Sequence, residues 1–378
     1  MRHFGETKKT NTKFIMFIHH RIKASHFTLI LSFLFNSCVG QTTESIPVKI
    51  TKIHKDSITL KAETQPEYRN SVHDKEYQGN QISGVIRTVF QDSKGNLWFG
   101  TQSGLSRYDK NGLVYFELKD YSGQKVTVHV IIEDKIGTIW IGYDRGIAKF
   151  DGNHFTMYYE KDEKKIGGLW SMTMDKKGML WVGTTQGVYT FNGEEFSPFE
   201  IPEGKINPDM GISTTKMIHS ILEDSKGKMW FATNGGVYIY DGTTLTNLSE
   251  KEGLQSNFVG QIIESKDGNF WISTSKGLCK YDGNTFINVT EKLLNQNEGI
   301  GSILEDNNGT IWFNANKRDI YSYSNKVFTK IESKEGEFKP FPFTIYQDKQ
   351  ERIWFVGLKG AYRLENNSFI NVNRNGPW

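Results

Sequence analysis

The sequence predicts an all-β protein built as a seven-bladed β-propeller of four-stranded antiparallel blades. Three observations predict it: a composition rich in aromatic residues and glycine, a tryptophan-centred repeat, and turn signals that divide each copy of the repeat into short strands. The 378 residues include 25 Phe, 16 Tyr, 9 Trp and 37 Gly but only 8 Pro. Such a composition suits many short strands joined by glycine turns.

The repeat is visible in the spacing of the tryptophans. Seven of them stand 42, 41, 49, 41, 41 and 42 residues apart, each inside a similar segment, and they are Trp98, Trp140, Trp181, Trp230, Trp271, Trp312 and Trp354. Trp170 and Trp378 lie outside the series. A fixed period in this range is typical of propellers and solenoids.

Turn residues divide each copy into four strands. The first strand ends at Asp-x-x-Gly, the second carries the tryptophan, the third follows Gly-Leu or Gly-Val, and the fourth follows a turn such as Asp151-Gly152. A lone sheet of this kind has apolar residues on both faces, so the blades must stack. Seven blades in a ring leave no apolar blade face exposed. The alternative is a β-solenoid, whose coils are usually shorter than this period.

The segments also share a motif. In the second copy it consists of Glu133, Asp134, Gly137, Ile139, Trp140, Ile141 and Gly142, and in the fourth of Glu223, Asp224, Gly227 and Trp230. Over about residues 84 to 372 the chain resembles the two-component regulator propeller repeats of periplasmic sensor regions in bacterial hybrid histidine kinases. Copies six and seven depart from the motif, with Asn314-Ala315-Asn316 and Val356-Gly357-Leu358 in place of Gly-Thr.

The resemblance implies a sensor propeller, and it also leads to an expectation about signalling. Such sensors continue into a further β domain, a membrane helix and a kinase, whereas this sequence stops at Trp378, directly after the last copy. We therefore expect no kinase activity. If the protein takes part in signalling, it would have to transfer a bound ligand to another protein or signal by contact with that protein.

The N-terminus predicts an export signal. Six basic residues precede the apolar run from Phe27 to Phe35, and Ser37 precedes Cys38. Residues 1–37 are interpreted as a signal peptide. The apolar run is too short to span a bilayer. The small residue before Cys38 resembles a lipobox, which predicts a lipid-anchored protein facing the periplasm or the cell surface, with plain secretion as the alternative. Residues 38–83 form a tether, or a small strand pair around Val48 to Leu60, and residues 84–378 the propeller.

Charge and cysteine content exclude several classes. Removal of residues 1–37 takes away six basic residues and one acidic residue, so the formal charge falls from +3 to −2. Without a basic excess we expect no nucleic-acid partner. Two cysteines without metal-site spacing predict neither a disulfide framework nor a metal site, and Cys279 is expected to be a buried thiol. No cofactor is expected.

One column of the repeat predicts a binding site. Eleven residues before each blade tryptophan the sequence has Arg87, His129, Trp170, His219, Gly260, Gly301 and Phe343. These positions lie where the first strand leaves the loop between blades, near the central axis. A mixture of cations and aromatic rings at one mouth of the channel suits a sugar ring or an anion. The alternative is that positions at loop entries tolerate any residue.

Further candidates lie in the hairpins between the second and third strands. Tyr143, Arg145, Lys317 and Arg318 are expected farther out on the same rim as possible ligand contacts, with a solvated rim of mixed charge as the alternative. The repeated acids at Asp92, Asp134, Asp224, Asp306 and Asp348 stand one per copy in turns, where Asp caps the turn backbone. They are therefore interpreted as structural, and no catalytic residue is assigned.

Three functions remain open. The first is an extracytoplasmic, sensor-like propeller that binds an extracellular ligand such as a glycan. The second is an interaction scaffold of the cell envelope that uses the outer rim and the insertion from Pro198 to Met217. The third is a propeller-type polysaccharide lyase or hydrolase with His129 or His219 as general base.

Overall fold

Strongly alternating apolar strands and glycine turns fold each copy of the repeat into one antiparallel sheet. The computed structural model describes residues 54–59, 80–160, 166–204, 214–295, 298–316, 318–333 and 339–378. The described residues belong to one compact unit, residues 47–378. They form seven sheets, and in each the four strands of one copy follow one another in chain order. The predicted seven-bladed propeller is confirmed.

The strands of each blade are numbered in chain order, with β1 preceding the first blade. Blade 1 contains β2 Ile86–Gln91, β3 Leu97–Thr101, β4 Gly104–Asp109 and β5 Gly112–Phe116. Blade 2 contains β6 Val128–Glu133, β7 Ile139–Tyr143, β8 Gly146–Phe150 and β9 Phe155–Tyr159. Blade 3 contains β10 Leu169–Met174, β11 Leu180–Thr184, β12 Gly187–Phe191 and β13 Phe196–Phe199. Blade 4 contains β14 Ile218–Glu223, β15 Met229–Thr233, β16 Gly236–Tyr240 and β17 Leu245–Leu248.

The remaining three blades follow the same order. Blade 5 contains β18 Val259–Glu264, β19 Phe270–Thr274, β20 Gly277–Tyr281 and β21 Phe286–Asn288. Blade 6 contains β22 Ile300–Glu305, β23 Ile311–Ala315, β24 Asp319–Ser324 and β25 Val327–Ile331. Blade 7 contains β26 Phe341–Gln347, β27 Ile353–Leu358, β28 Gly360–Glu365 and β29 Ser368–Val372. Copies six and seven therefore form complete blades despite their departures from the motif.

The segment before the propeller contributes one strand to it. β1, His54–Ile58, pairs antiparallel with β9 and becomes the fifth strand of blade 2. Of the predicted tether or strand pair around Val48 to Leu60 the structure describes only residues 54–59, and there the partner of β1 is the outer edge of a blade. The predicted signal peptide and Cys38 lie outside the described residues. No helix in the described part of the chain is long and apolar enough to cross a membrane.

Blade stacking provides the hydrophobic core. Within the described ranges the buried apolar side chains form seven clusters, and each cluster joins two neighbouring blades. In the cluster between blades 7 and 1, Trp354 packs with Phe99 at 6.0 Å between ring centroids. Cys279 lies fully buried between blades 4 and 5, as expected, and burial raises the pKa of its thiol to about 11.

Blade 1 and blade 7 close the ring through the residues that flank them. Val85 forms a bridge with Leu358, and the N–H of Arg374 donates to the carbonyl oxygen of Asn80 at 2.8 Å. Trp378 stacks on Tyr108 of blade 1 with 3.9 Å between ring centroids. Closure thus relies on chain segments on either side of the blades, and the sheet of blade 7 consists of four consecutive strands.

The repeated aspartates stabilise the turns, as the sequence predicts. In blade 4, Asp224 Oδ2 accepts a hydrogen bond from the Trp230 indole at 2.9 Å, and Oδ1 accepts from the N–H groups of Lys226 and Lys228. The same indole contact is made by Asp92, Asp134, Asp175, Asp306 and Asp348. Each aspartate therefore connects the first turn of its blade to the buried tryptophan.

Candidate functional site

Every blade carries a β-bulge at the varied column of the repeat. In blade 1 the pairing of β2 with β3 shifts between Ile86 and Thr88, which leaves Arg87 as the extra residue. The corresponding shifts in the other blades bracket His129, Trp170, His219, Gly260, Gly301 and Phe343. A bulge interrupts the ladder and redirects the side chain of its extra residue, and bulges often lie next to functional sites.

All seven column positions line one cavity of about 760 Å³ on the propeller axis. The innermost strands β2, β6, β10, β14, β18, β22 and β26 surround it, each in contact with the next and the last with the first. This volume lies in the range of small-molecule sites. The structure thus brings together Arg87, His129, Trp170, His219 and Phe343, five of the residues singled out from the sequence.

Four of these side chains form a continuous arc over blades 7, 1, 2 and 3. The guanidinium carbon of Arg87 lies 4.6 Å from the ring centroid of Phe343. The imidazole of His129 lies 4.9 Å from the ring of Trp170, with a tilt of 41° between the planes. The Trp170 side chain is 41% exposed, which leaves part of its indole open to the cavity.

Burial and positive charge keep the histidines of the cavity neutral. Burial is the main cause that lowers the pKa of His129 to about 4, and the charge of Arg87 lowers it further. Burial also lowers the pKa of His219, against the opposing effect of the hydrogen bond between its Nε2 and Asn234 Oδ1 at 2.7 Å. Neither imidazole therefore carries a proton near neutral pH in this geometry.

Blades 5 and 6 leave room on the other side of the cavity. Their column residues are Gly260 and Gly301, and amide side chains of Gln261, Asn314 and Asn316 line the cavity there. A Cβ at Gly301 would lie 2.6 Å from Asn314 Nδ2, so the glycine provides the space that the Asn314 amide occupies. The departure of copy six from the motif is thus a feature of the cavity, which sequence reasoning missed.

A second polar column also escaped the sequence analysis. The residue after each bulge is Thr88, Val130, Ser171, Ser220, Gln261, Ser302 or Thr344, and several of these bond to the backbone of the next blade. Examples are Gln261 Oε1 with the N–H of Ile303 at 2.9 Å, Ser302 Oγ with the N–H of Ile345 at 3.0 Å, and Thr344 Oγ1 with the carbonyl of Arg87 at 2.9 Å. The sequence signal that could have revealed this column is the hydroxyl or amide side chain that stands ten residues before the tryptophan in most copies of the repeat.

The other predicted site residues that the structure describes, Tyr143, Arg145 and Arg318, do not line the cavity. Tyr143 is fully buried in the cluster between blades 1 and 2, which corrects its placement on the rim, and burial strongly raises the pKa of its hydroxyl. Arg145 pairs with Asp120 at 3.1 Å and lines a separate pocket of about 320 Å³. The guanidinium carbon of Arg318 lies 5.8 Å from the ring of Phe341. Lys317 is outside the described residues.

The chemistry available in the cavity is that of cations, amides and aromatic faces. Among the described residues its lining includes no Asp or Glu side chain. Nor do the described residues place three or more His, Cys, Asp or Glu side chains where they could hold a metal ion. The arrangement can stack on a flat ligand face and donate hydrogen bonds to it.

Comparison with known families relates this architecture to signalling proteins. The sequence model of the two component regulator propeller family matches residues 80–103, 211–235 and 253–276, which fall in blades 1, 4 and 5. Three segments of the chain therefore match the two component regulator propeller repeat. The first and second strands of these three blades carry the bulge and the blade tryptophan, and those of blades 1 and 4 also carry the turn aspartate. Comparison with curated proteins finds no match.

Solved structures with similar folds include extracellular domains of two-component systems and a lyase. The extracellular domain of the hybrid two-component system BT4673 of B. thetaiotaomicron is 19% identical with a TM-score of 0.59, over 74% of this chain and 37% of that one. For BT3049 of the same organism the values are 21%, 0.51, 79% and 47%. Streptogramin B lyase is 16% identical with a TM-score of 0.61, over 83% of this chain and 97% of the lyase. At these identities the likeness shows the fold, and this chain spans less than half of each two-component protein.

Proposed function

We propose that this propeller is an extracytoplasmic, sensor-like binding protein that captures an extracellular ligand, such as a glycan, in the axial cavity. The observation that carries the proposal is the convergence of seven bulge residues on one cavity of about 760 Å³. A repeat that served packing alone would have no need of cations and aromatic rings at those positions. The extracellular domains of similar fold support an extracytoplasmic location.

Binding is favoured over catalysis because of the composition of the cavity. A lyase or hydrolase centred on His129 or His219 needs an acid partner or a metal. The described lining of the cavity offers the histidines no carboxylate, and His219 is engaged with Asn234. The similarity in fold to streptogramin B lyase does not add an acid partner or a metal to this cavity.

A paired substitution tests the ligand site. A thermal-shift screen of neutral and acidic oligosaccharides on the purified protein identifies ligands, and calorimetry then measures their affinity. We expect Trp170→Ala to weaken binding about tenfold or more, since loss of aromatic stacking removes roughly 1 kcal/mol or more. Tyr121→Ala is the matched control, because Tyr121 is similarly exposed at 39% but lies outside the cavity.

Other outcomes would redirect the assignment. If the two substitutions weakened binding equally, the ligand would not bind in the axial cavity. This result would favour a scaffold that uses the outer rim. Consumption of an oligosaccharide that stops with His129→Ala would replace the binding assignment by a lyase or hydrolase.

The anchor is a separate part of the proposal. A lipid on Cys38 would hold the propeller at the membrane, from where a partner in the envelope could receive the signal. Palmitate labelling of the full chain should be lost in Cys38→Ser and retained in Cys279→Ser. If Cys279→Ser were also not labelled, the result would favour plain secretion.

A further inference from the structure

Arg87 is a partly buried cation without a counter-ion among the described residues. Its guanidinium lies over Phe343, burial lowers its pKa, and its Nε is buried without a hydrogen-bond partner in the described part of the chain. Arginine remains charged in proteins and has five N–H donors. A charge withdrawn from water in this way is unfavourable unless something pairs with it. The described lining holds no carboxylate, so the described part of the chain does not supply this partner.

His129 is next to this charge and responds to it. Arg87 on β2 and His219 on β14 are the other titratable groups among the described lining, and the adjacent β10 contributes Trp170, which does not titrate. Asp144 accepts a hydrogen bond from the N–H of Thr127 and lines the separate pocket of Arg145. Of these groups Arg87 carries a positive charge next to His129, and this charge opposes protonation of the imidazole.

We propose that the axial cavity takes an anionic ligand, a ring compound with a carboxylate, sulfate or phosphate group, whose charged group pairs with Arg87 beside His129 while its ring lies on Trp170. The inference rests on the proposed function and names its ligand class. An anion at Arg87 offsets the positive charge that, after burial, opposes protonation of His129. Binding is therefore accompanied by proton uptake at this imidazole.

The charge of the ligand is tested with a matched pair of sugars. Galacturonate and galactose share a ring and differ in one carboxylate, and inorganic sulfate and phosphate test the anion alone. By calorimetry on the purified protein we expect galacturonate to bind at least about tenfold more tightly than galactose. Arg87→Gln should abolish this difference. Arg107→Gln is the control, because Arg107 is in the same blade and pairs with Asp109 at 2.8 Å outside the cavity.

Proton uptake is tested by the pH dependence of the same affinity. Galacturonate is ionised at both about pH 5 and about pH 7.5, so a change in affinity reports on the protein. Affinity should be several-fold higher at about pH 5. His129→Asn should remove the dependence, and His219→Asn should preserve it.

Failure of this inference is distinguishable from failure of the proposed function. If neither galacturonate, sulfate nor phosphate binds in an Arg87-dependent way, the anion assignment is overturned. If a neutral oligosaccharide nevertheless binds and Trp170→Ala weakens it, the cavity remains a ligand site for uncharged molecules. Binding of galacturonate that is unchanged in Arg87→Gln also overturns the inference.

Discussion

A single aspartate, Asp224, in the first turn of blade 4 accepts hydrogen bonds from three donors, the buried indole N–H of Trp230 and two N–H groups of the exposed turn. Blade 5 is the exception: Ser265 stands at this position, and the Trp271 indole N–H is buried without a partner among the described residues. Unpaired buried donors carry a desolvation cost of about 1–3 kcal/mol each. Comparison of blades 4 and 5 therefore allows the contribution of the aspartate–indole hydrogen bond to the free energy of unfolding to be measured within one molecule.

Asp224→Ala should lower the free energy of unfolding by about 3 kcal/mol, because it leaves the Trp230 indole and two turn amides without their acceptor. Ser265→Ala, at the equivalent position of blade 5, should cost less than about 1 kcal/mol. Urea denaturation of both variants measures the difference. Equal losses would show that the indole contact contributes little.

His129 should make folding sensitive to acid. The pKa of its imidazole falls from the ordinary 6.5 to about 4 on folding, so between these values the unfolded chain binds a proton that the folded protein does not. The contribution of the neutral His129 to the free energy of unfolding is complete above about pH 6.5 and is lost as the pH falls towards about 4. The pKa of His219 is also lowered, so His219 changes the stability in the same direction.

Urea denaturation of the unliganded protein at about pH 7 and about pH 5 tests this sign. We expect His129→Asn to lose less stability on acidification than the wild type. His154→Asn is the control, because His154 is exposed in a turn of blade 2. Identical acid sensitivity in wild type and His129→Asn would contradict the expected loss of stability through this imidazole.

At the scale of strands, the first strand of each blade makes its contacts at both ends. Its beginning bulges towards the axis, and in every blade except blade 3, where Met174 ends the strand, its last residue accepts hydrogen bonds from the turn of the preceding blade. In blade 5, Glu264 accepts from the N–H and the hydroxyl of Ser225, both at 2.6 Å. Gln347 in blade 7 accepts in the same way from the N–H of Asn307 at 2.8 Å. The Glu-Asp motif therefore joins neighbouring blades through its glutamate and closes its own turn through its aspartate.

Glu264→Ala should cost about 1–2 kcal/mol of stability, since it removes the acceptor of two Ser225 donors. Glu264→Gln should cost much less, because glutamine performs this role in blade 7. Thermal unfolding at constant salt compares the two variants. Equal destabilisation by Gln and Ala would indicate that charge, rather than the hydrogen bond, links the blades.

For the whole molecule, stability depends on closing the ring. Trp378 follows the last blade yet stacks on Tyr108 of the first, and it packs near Phe99 in the cluster that joins the two blades. Opening this junction would expose two apolar blade faces to water. The contacts of one terminal residue therefore affect all seven blades.

Trp378→Ala should lower the melting temperature in a single cooperative transition and cost about 2 kcal/mol, from lost burial and stacking. Calorimetry measures the transition. Trp170→Ala is the control, because its partly exposed ring lines the cavity and should leave the melting temperature nearly unchanged. An unchanged melting temperature in Trp378→Ala would show that the junction closes without this ring.

Periodicity alone was enough to predict the blades, their number and the four strands of each blade, although the fourth strand of blade 1 ends at Phe116, where the repeat had predicted its beginning. Each strand and turn is determined by nearby residues, so seven similar copies repeat the same local information. The aspartate of each turn was assigned correctly for the same reason, since its acceptor role is local. The varied column likewise identified five residues of the cavity by their place in the repeat.

Contacts between distant parts of the chain could not be derived in this way. The burial of Tyr143, the pairing of β1 with blade 2 and the Trp378 junction depend on which surfaces meet after folding. The bulges also needed the structure, because a one-residue shift in pairing changes the direction of a side chain without changing the repeat. The sequence by itself determined the blades and the candidate column, whereas the tertiary structure decided that the column surrounds one cavity with Arg87 unpaired among the described residues.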